Sequence, residues 1–268
     1  MKPAFSLRKL SALSLADKLK WLLFILLIIA AAFRRFSLPQ IPFADHDLNG
    51  YLNPALVYFK TGTFVHFNYR SFPYPLFLLV VIAITNSLKA IAITQHSLGL
   101  LTGVLMFKIW DEPIFKGYAR KPVKIVATTL QFICVGYFLL SADMIFFEHS
   151  LRPESTSIFL MVLVMFLLVK SLTPSHRKIS LLSLALFLTL FTFVYSPRWG
   201  FALPVTVIYI LFAVARLDIF ISAKLRVIAV PLVLFLVLVW FLSGTSSINM
   251  IHKQTNWLSV NFFMIMVT

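Results

Sequence analysis

The chain has 268 residues, 60% hydrophobic and only 12% charged, with a mean hydropathy of +0.92. That balance excludes an ordinary soluble domain and fits an all-α, polytopic membrane protein. The net charge of +15 would suggest nucleic acid in a soluble protein, but the excess lies mostly in short loops between apolar runs, so no nucleic-acid partner is expected. The single cysteine, Cys134, excludes an intrachain disulfide and a thiolate metal site.

Residues 1–20 are basic, with Lys2, Arg8, Lys9, Lys18 and Lys20, and residues 21–33 form the first apolar run. This order resembles a signal sequence. Arg34 and Arg35 follow with no small-residue cleavage site, so the segment reads as an uncleaved signal anchor. The run is short, and Lys18 and Arg34 are expected to snorkel to the two interfaces. A polar-to-mixed stretch follows, from 34 to about 90. Within it, residues 48–59 predict a short amphipathic helix at the membrane surface. Later apolar runs at 91–110, 125–147, 156–169, 179–194, 199–215 and 227–242 predict six further crossings.

Residues 75–84 are apolar but too short for an ordinary crossing. If they do not cross, 16 of the 24 Lys and Arg residues fall on the cytoplasmic side; if they do, only 9 fall there. The positive-inside rule selects the first arrangement. It predicts a single module of seven crossings over 1–268, with the N-terminus cytoplasmic and 34–90 as one large external loop. Asp45, Asp47, Asp143, Glu148 and Glu154 then lie at or near the external face, with Arg70, Arg152 and Arg198.

Four polar groups could carry chemistry there. In Asp45-His46-Asp47, carboxylates flank a histidine; they could act as a general base or bind a divalent metal, and Asp47 could equally cap the helix that follows. In Glu148-His149-Ser150-Leu151-Arg152-Pro153-Glu154, Pro153 and Glu154 are ordinary at a helix start, which leaves His149 and Arg152 unexplained. In Ser196-Pro197-Arg198-Trp199-Gly200, Trp199 suits an interface, and Arg198 suits either snorkelling or a lipid phosphate. Arg70, with Pro73 and Pro75, heads the short apolar dip. Gln95 and His96, early in the second crossing, suit structural glue as well as ligand contact. Neither a Gly-rich phosphate loop nor zinc-spaced histidines occur in the sequence.

The order of several pieces resembles the GT-C type membrane glycosyltransferases, such as protein mannosyltransferases and the lipid A aminoarabinose transferase. The matching pieces are Asp47-Leu48-Asn49-Gly50-Tyr51, Gly62, Pro73-Tyr74-Pro75-Leu76, Gln95-His96-Ser97-Leu98-Gly99-Leu100-Leu101-Thr102 and Arg152-Pro153-Glu154. They cover most of residues 20–215. The resemblance implies a GT-C-like bundle with juxtamembrane helices in the first external loop. It implies a polyprenyl-phosphate sugar donor, a lipid, glycan or protein acceptor, and a place in a bacterial-type inner membrane. Asp47 would activate the acceptor, Asp45 would be an accessory acid or metal ligand, and Glu154 the second acid. Arg70, Arg152 and Arg198 would hold the lipid phosphate, while Asp45, His46 and Asp47 would form any metal site. Two departures from the family pattern are Leu48, where a second acid usually follows Asp47, and Glu rather than Asp at 154. Family members usually continue beyond seven crossings, so the chain is expected to be incomplete at its C-terminus. The competing expectation is a non-catalytic membrane protein: a lipid or sugar transporter or flippase, or an inactive transferase fragment.

Overall fold

The computed structural model describes residues 14–43, 48–62, 73–111, 121–172, 178–196, 202–215 and 227–237. Among the described residues the chain is all-helical, with ten helices and one isolated bridge. In chain order these are α1 (Leu15–Phe36), α2 (Leu48–Thr61), α3 (Pro73–Thr85), α4 (Lys89–Asp111) and α5 (Lys121–Leu140). They continue with α6 (Ala142–His149), α7 (Glu154–Leu172), α8 (Lys178–Tyr195), α9 (Ala202–Ala215) and α10 (Val227–Val237). Among the described residues, three stretches are long and apolar enough to cross a membrane: Lys89–Asp111, Val123–Leu140 and Glu154–Leu172. They suggest a membrane protein.

The α1 helix shows how the sequence suits that setting. Ser14 caps it, its side chain accepting from the Asp17 amide at 3.1 Å, and Asp17 sits in the positive first turn. Leu19, Leu22, Leu23, Ile25, Leu26, Ile29 and Phe33 are exposed, whereas Phe24, Ala31 and Arg35 are buried. An apolar outer surface around a buried arginine inverts the soluble pattern and suits lipid on the outside.

Contacts at the helix ends set the directions. Lys20, near the start of α1, pairs with Asp111 at the end of α4 and lies 4.9 Å over the Phe107 ring. Phe24 stacks on Phe107 at 3.8 Å, with Trp21 edge-on to Phe107 at 5.1 Å. At the opposite end, Arg35 of α1 meets His96 and Glu148, on α4 and α6, through the carboxylate of Glu148. Thr156, at the start of α7, bonds Tyr195 at the end of α8. The ends of α1, α6 and α8 therefore gather with the beginnings of α4 and α7. Polar side chains concentrate at this end.

The apolar run expected at 125–147 is broken. Ser141 ends α5 and caps α6, its hydroxyl accepting from the Met144 amide at 3.5 Å. A helix end leaves its last carbonyls without helical N–H partners. Here Arg34 Nη1 donates to the Leu140 carbonyl, and Arg35 Nη1 to that of Leu139 at 2.5 Å. The charged tail of α1 thus caps the end of α5, so Arg34 makes a protein contact as well as closing an apolar helix.

The dip expected at 75–84 is α3, 13 residues long and so about 20 Å. It ends at Asn86, whose φ of 51° allows the chain to reverse into α4. Gly62, with φ of 70°, ends α2 in the same left-handed conformation. The predicted surface helix is α2; it buries Tyr51, Leu52 and Ala55 against Tyr74, Leu78 and Ile82 of α3.

Candidate functional site

Two polar layers lie at the end where α1, α4, α6, α7 and α8 meet. One is centred on Glu148. Its Oε2 accepts from Arg35 Nε at 2.6 Å and its Oε1 from Arg35 Nη2 at 2.8 Å, a two-pronged pair in which both side chains are almost fully buried. Arg35 Nη1 is also satisfied by carbonyls, those of Leu139 and Ala31. His96 Nδ1 lies 2.9 Å from Glu148 Oε2, and His96 Nε2 lies 3.1 Å from His149 Nδ1. His149 Nε2 donates to the Ile41 carbonyl at 2.7 Å. An unpaired charge would be costly at this depth; four groups from three helices compensate one another instead. Burial holds the His149 imidazole below the usual histidine range, opposed by the Ile41 and Pro39 carbonyls and reinforced by His96.

Close approach of the Glu148 carboxylate requires a glycine. A Cβ on Gly99 would stand 2.0 Å from Glu148 Oε1. Gly99 therefore lets α6 place its carboxylate flat against α4, where His96, one turn earlier, can reach it.

The second layer surrounds Gln95. Its Nε2 lies 3.0 Å from Ser155 Oγ, 3.2 Å from Tyr74 Oη and 3.2 Å from the Arg152 carbonyl. One amide thus joins the starts of α3 and α7 to α4. Thr156 Oγ1 donates to the Pro153 carbonyl at 3.0 Å, so it accepts from Tyr195 Oη at 2.6 Å. Tyr74 touches Tyr51 edge-on at 5.1 Å and Tyr195 at 6.0 Å. Burial pushes the Tyr74 phenol well above its ordinary value, and Tyr195, Glu154 and Tyr51 add to the effect, while Gln95 opposes it. The phenol is therefore neutral. Glu154 opens α7 in this layer, preceded by Pro153.

The structure brings Glu154 and Arg152 into the same turn beside this layer. Asp45, His46, Asp47, Arg70 and Arg198 lie outside the described residues. Both flanks of 44–47 are described, and each docks on the bundle. On one side, the Phe43 amide donates to the His149 carbonyl at 2.9 Å, Phe43 bridges to Ser150, and its ring lies 4.6 Å from the His149 ring. On the other, Tyr51 packs on Tyr74. Among the described residues no group of three or more His, Cys, Asp or Glu side chains is arranged to hold a metal. The metal set read from the sequence rests on 45–47.

Sequence reasoning missed Arg35, Tyr74 and Tyr195 as members of the site, and it left Gln95 and His96 open. The available signal was an arginine placed directly after an apolar run, and two adjacent polar side chains early in another. No protein-family model, curated protein or solved structure matches the chain.

Proposed function

We propose that this protein is a GT-C type glycosyltransferase, moving a sugar from a polyprenyl-phosphate donor to an acceptor at the external face of the membrane. The docking of Phe43, two residues before Asp45, on His149 and Ser150, in the segment that leads to Arg152 and Glu154, supports this reading above all. It ties together the two loops whose acids and arginines suit acid–base chemistry on a phosphorylated lipid headgroup.

In the proposed topology seven helices cross, the N-terminus is cytoplasmic, and α2 and α3 sit in the first external loop. The donor lipid lies along the helices, its phosphate held by Arg70, Arg152 and Arg198. Asp47 takes the acceptor proton as the acceptor oxygen attacks the anomeric carbon, Asp45 and Glu154 assist, and the lipid phosphate leaves with the bonding electrons. A single in-line displacement inverts the anomeric centre. A metal at Asp45, His46 and Asp47 would supply further positive charge for the leaving phosphate.

A non-catalytic transporter is the second reading, favoured by the ionisable network of Arg35, His96, Glu148 and His149 within the bundle. Transporters set such groups near the bilayer midplane on broken helices. Here the network belongs to helix ends, which weighs toward chemistry at a membrane face.

The test is transfer of radiolabelled sugar from prenyl-phosphate donors in membranes containing the protein. Asp47→Asn is expected to lower transfer by about 10²-fold or more at unchanged expression. Undiminished transfer would remove Asp47 from the base role. No transfer by the unaltered protein across a donor and acceptor panel, with donor moved across the bilayer, would favour the transporter.

A further inference from the structure

We propose that Glu148, His96 and His149 bind one shared proton beyond the two that their neutral imidazoles carry, and that this proton holds residues 38–43 on the bundle. The hydrogen bonds count it. His149 Nε2 faces the Ile41 carbonyl oxygen at 2.7 Å; that oxygen only accepts, so Nε2 bears a proton. His149 Nδ1 and His96 Nε2, 3.1 Å apart, need a second proton between them. His96 Nδ1 and Glu148 Oε2, at 2.9 Å, need a third. Two neutral imidazoles supply two protons. Without the third, one contact in the line sets two lone pairs against each other among buried side chains.

The surroundings say where the third proton lies. Burial and the neighbouring His96 disfavour a charged His149 ring, which leaves the third proton to the contact between His96 Nδ1 and Glu148 Oε2, 2.9 Å apart. Arg35 of α1 pairs with the other side of Glu148, and Arg34 turns to the Leu140 carbonyl. From α5 the network receives the Leu139 carbonyl. On α6 the remaining titratable group is Asp143, on the exposed side. Lys89 starts α4, and Arg152 and Glu154 lie in the turn beyond α6. Residues 38–43 contribute no titratable side chain.

The readout is the segment leading from α1 toward Asp45. His149 grips it three times: through the Ile41 carbonyl, through its own carbonyl on the Phe43 amide, and by ring contact with Phe43. When the third proton leaves, the Glu148 carboxylate draws the remaining His96 proton to Nδ1, so His96 Nε2 and His149 Nδ1 face each other with lone pairs and His149 is either repelled by His96 or turned away from Ile41. The first loop then loosens as pH rises. This coupling does not depend on the transferase reading.

Amide hydrogen exchange over 38–43, measured on the whole protein in nanodiscs between about pH 5 and 9 and corrected for intrinsic rates, tests it. Protection is expected to fall by about tenfold or more in a one-proton step as pH rises, and His96→Gln is expected to abolish the step. Protection that does not vary with pH, or an unchanged step in His96→Gln, overturns the proposal. Should His96→Gln fail to fold, ring ¹⁵N spectra of the unaltered protein decide. A His96 ring protonated at Nε2 and bonded to a neutral Nε2–H ring supports the shared proton; a His96 ring protonated at Nδ1 alone refutes it.

Discussion

Gly99→Ala is the smallest change that should dismantle the buried network. The added methyl would stand 2.0 Å from Glu148 Oε1, 2.4 Å from its Cδ and 3.0 Å from Oε2. Ordinary contact requires the carboxylate to retreat by roughly 1 Å. It cannot do so freely, because Arg35 holds both oxygens at 2.6 and 2.8 Å and His96 holds Oε2 at 2.9 Å. Losing the pair while its members stay buried costs about 3–5 kcal/mol. The gain from replacing glycine by alanine within a helix is only about 1 kcal/mol. The net loss expected is about 2–4 kcal/mol. Two other helical glycines calibrate the measurement. At Gly103 a Cβ would stand 2.5 Å from Leu139 Cδ2, the end of a flexible side chain, so Gly103→Ala should cost about 1–3 kcal/mol before the same helix gain. At Gly136 the nearest atom is 4.0 Å away, and Gly136→Ala should be neutral or stabilising. Thermal unfolding in detergent, followed by the loss of monodisperse protein, should rank Gly99→Ala lowest and Gly136→Ala highest. A Gly99→Ala protein as stable as Gly136→Ala would refute the packing of Glu148 against α4.

Arg35→Met alone strands a buried carboxylate and should cost about 3–5 kcal/mol; adding Glu148→Gln should recover part of the loss, measured by the same unfolding assay. Thr156→Val keeps the shape but removes the hydroxyl that accepts from Tyr195 Oη, while the Pro153 carbonyl keeps the Ser157 amide, and should cost about 1 kcal/mol. His149 titrates below its ordinary range in the folded protein, so its contribution is fully present above about pH 6.5 and lost as pH falls through the folded value. The melting temperature should therefore drop on acidification, and His149→Gln should flatten that part of its pH dependence.

Local signals in the chain mark many of its helix ends. Apolar runs of membrane length, Ser14 before α1, Pro153 before α7 and Gly62 after α2 are signals within a few residues, and the structure places helix ends at each. The turn holding Arg152 and Glu154 was legible for the same reason. Asp45, His46, Asp47, Arg70 and Arg198 are outside the described residues, and their roles rest on the sequence. The break of the third run at Ser141 was less legible, since a serine in an apolar run can also sit inside a helix.

What tertiary structure decided is the partnership of charges. Arg35 and Glu148 are 113 residues apart, and His96 and His149 are 53 apart. Residue pattern places each on a helix but says nothing of which helix ends meet. Arg35 reads as an interfacial cation until α4 and α6 close over it, and Gly99 reads as an ordinary helical glycine until Glu148 lies against it. Burial then compels pairing, because a charge withdrawn from water is tolerated only where opposite charge and hydrogen bonds replace the water it has lost.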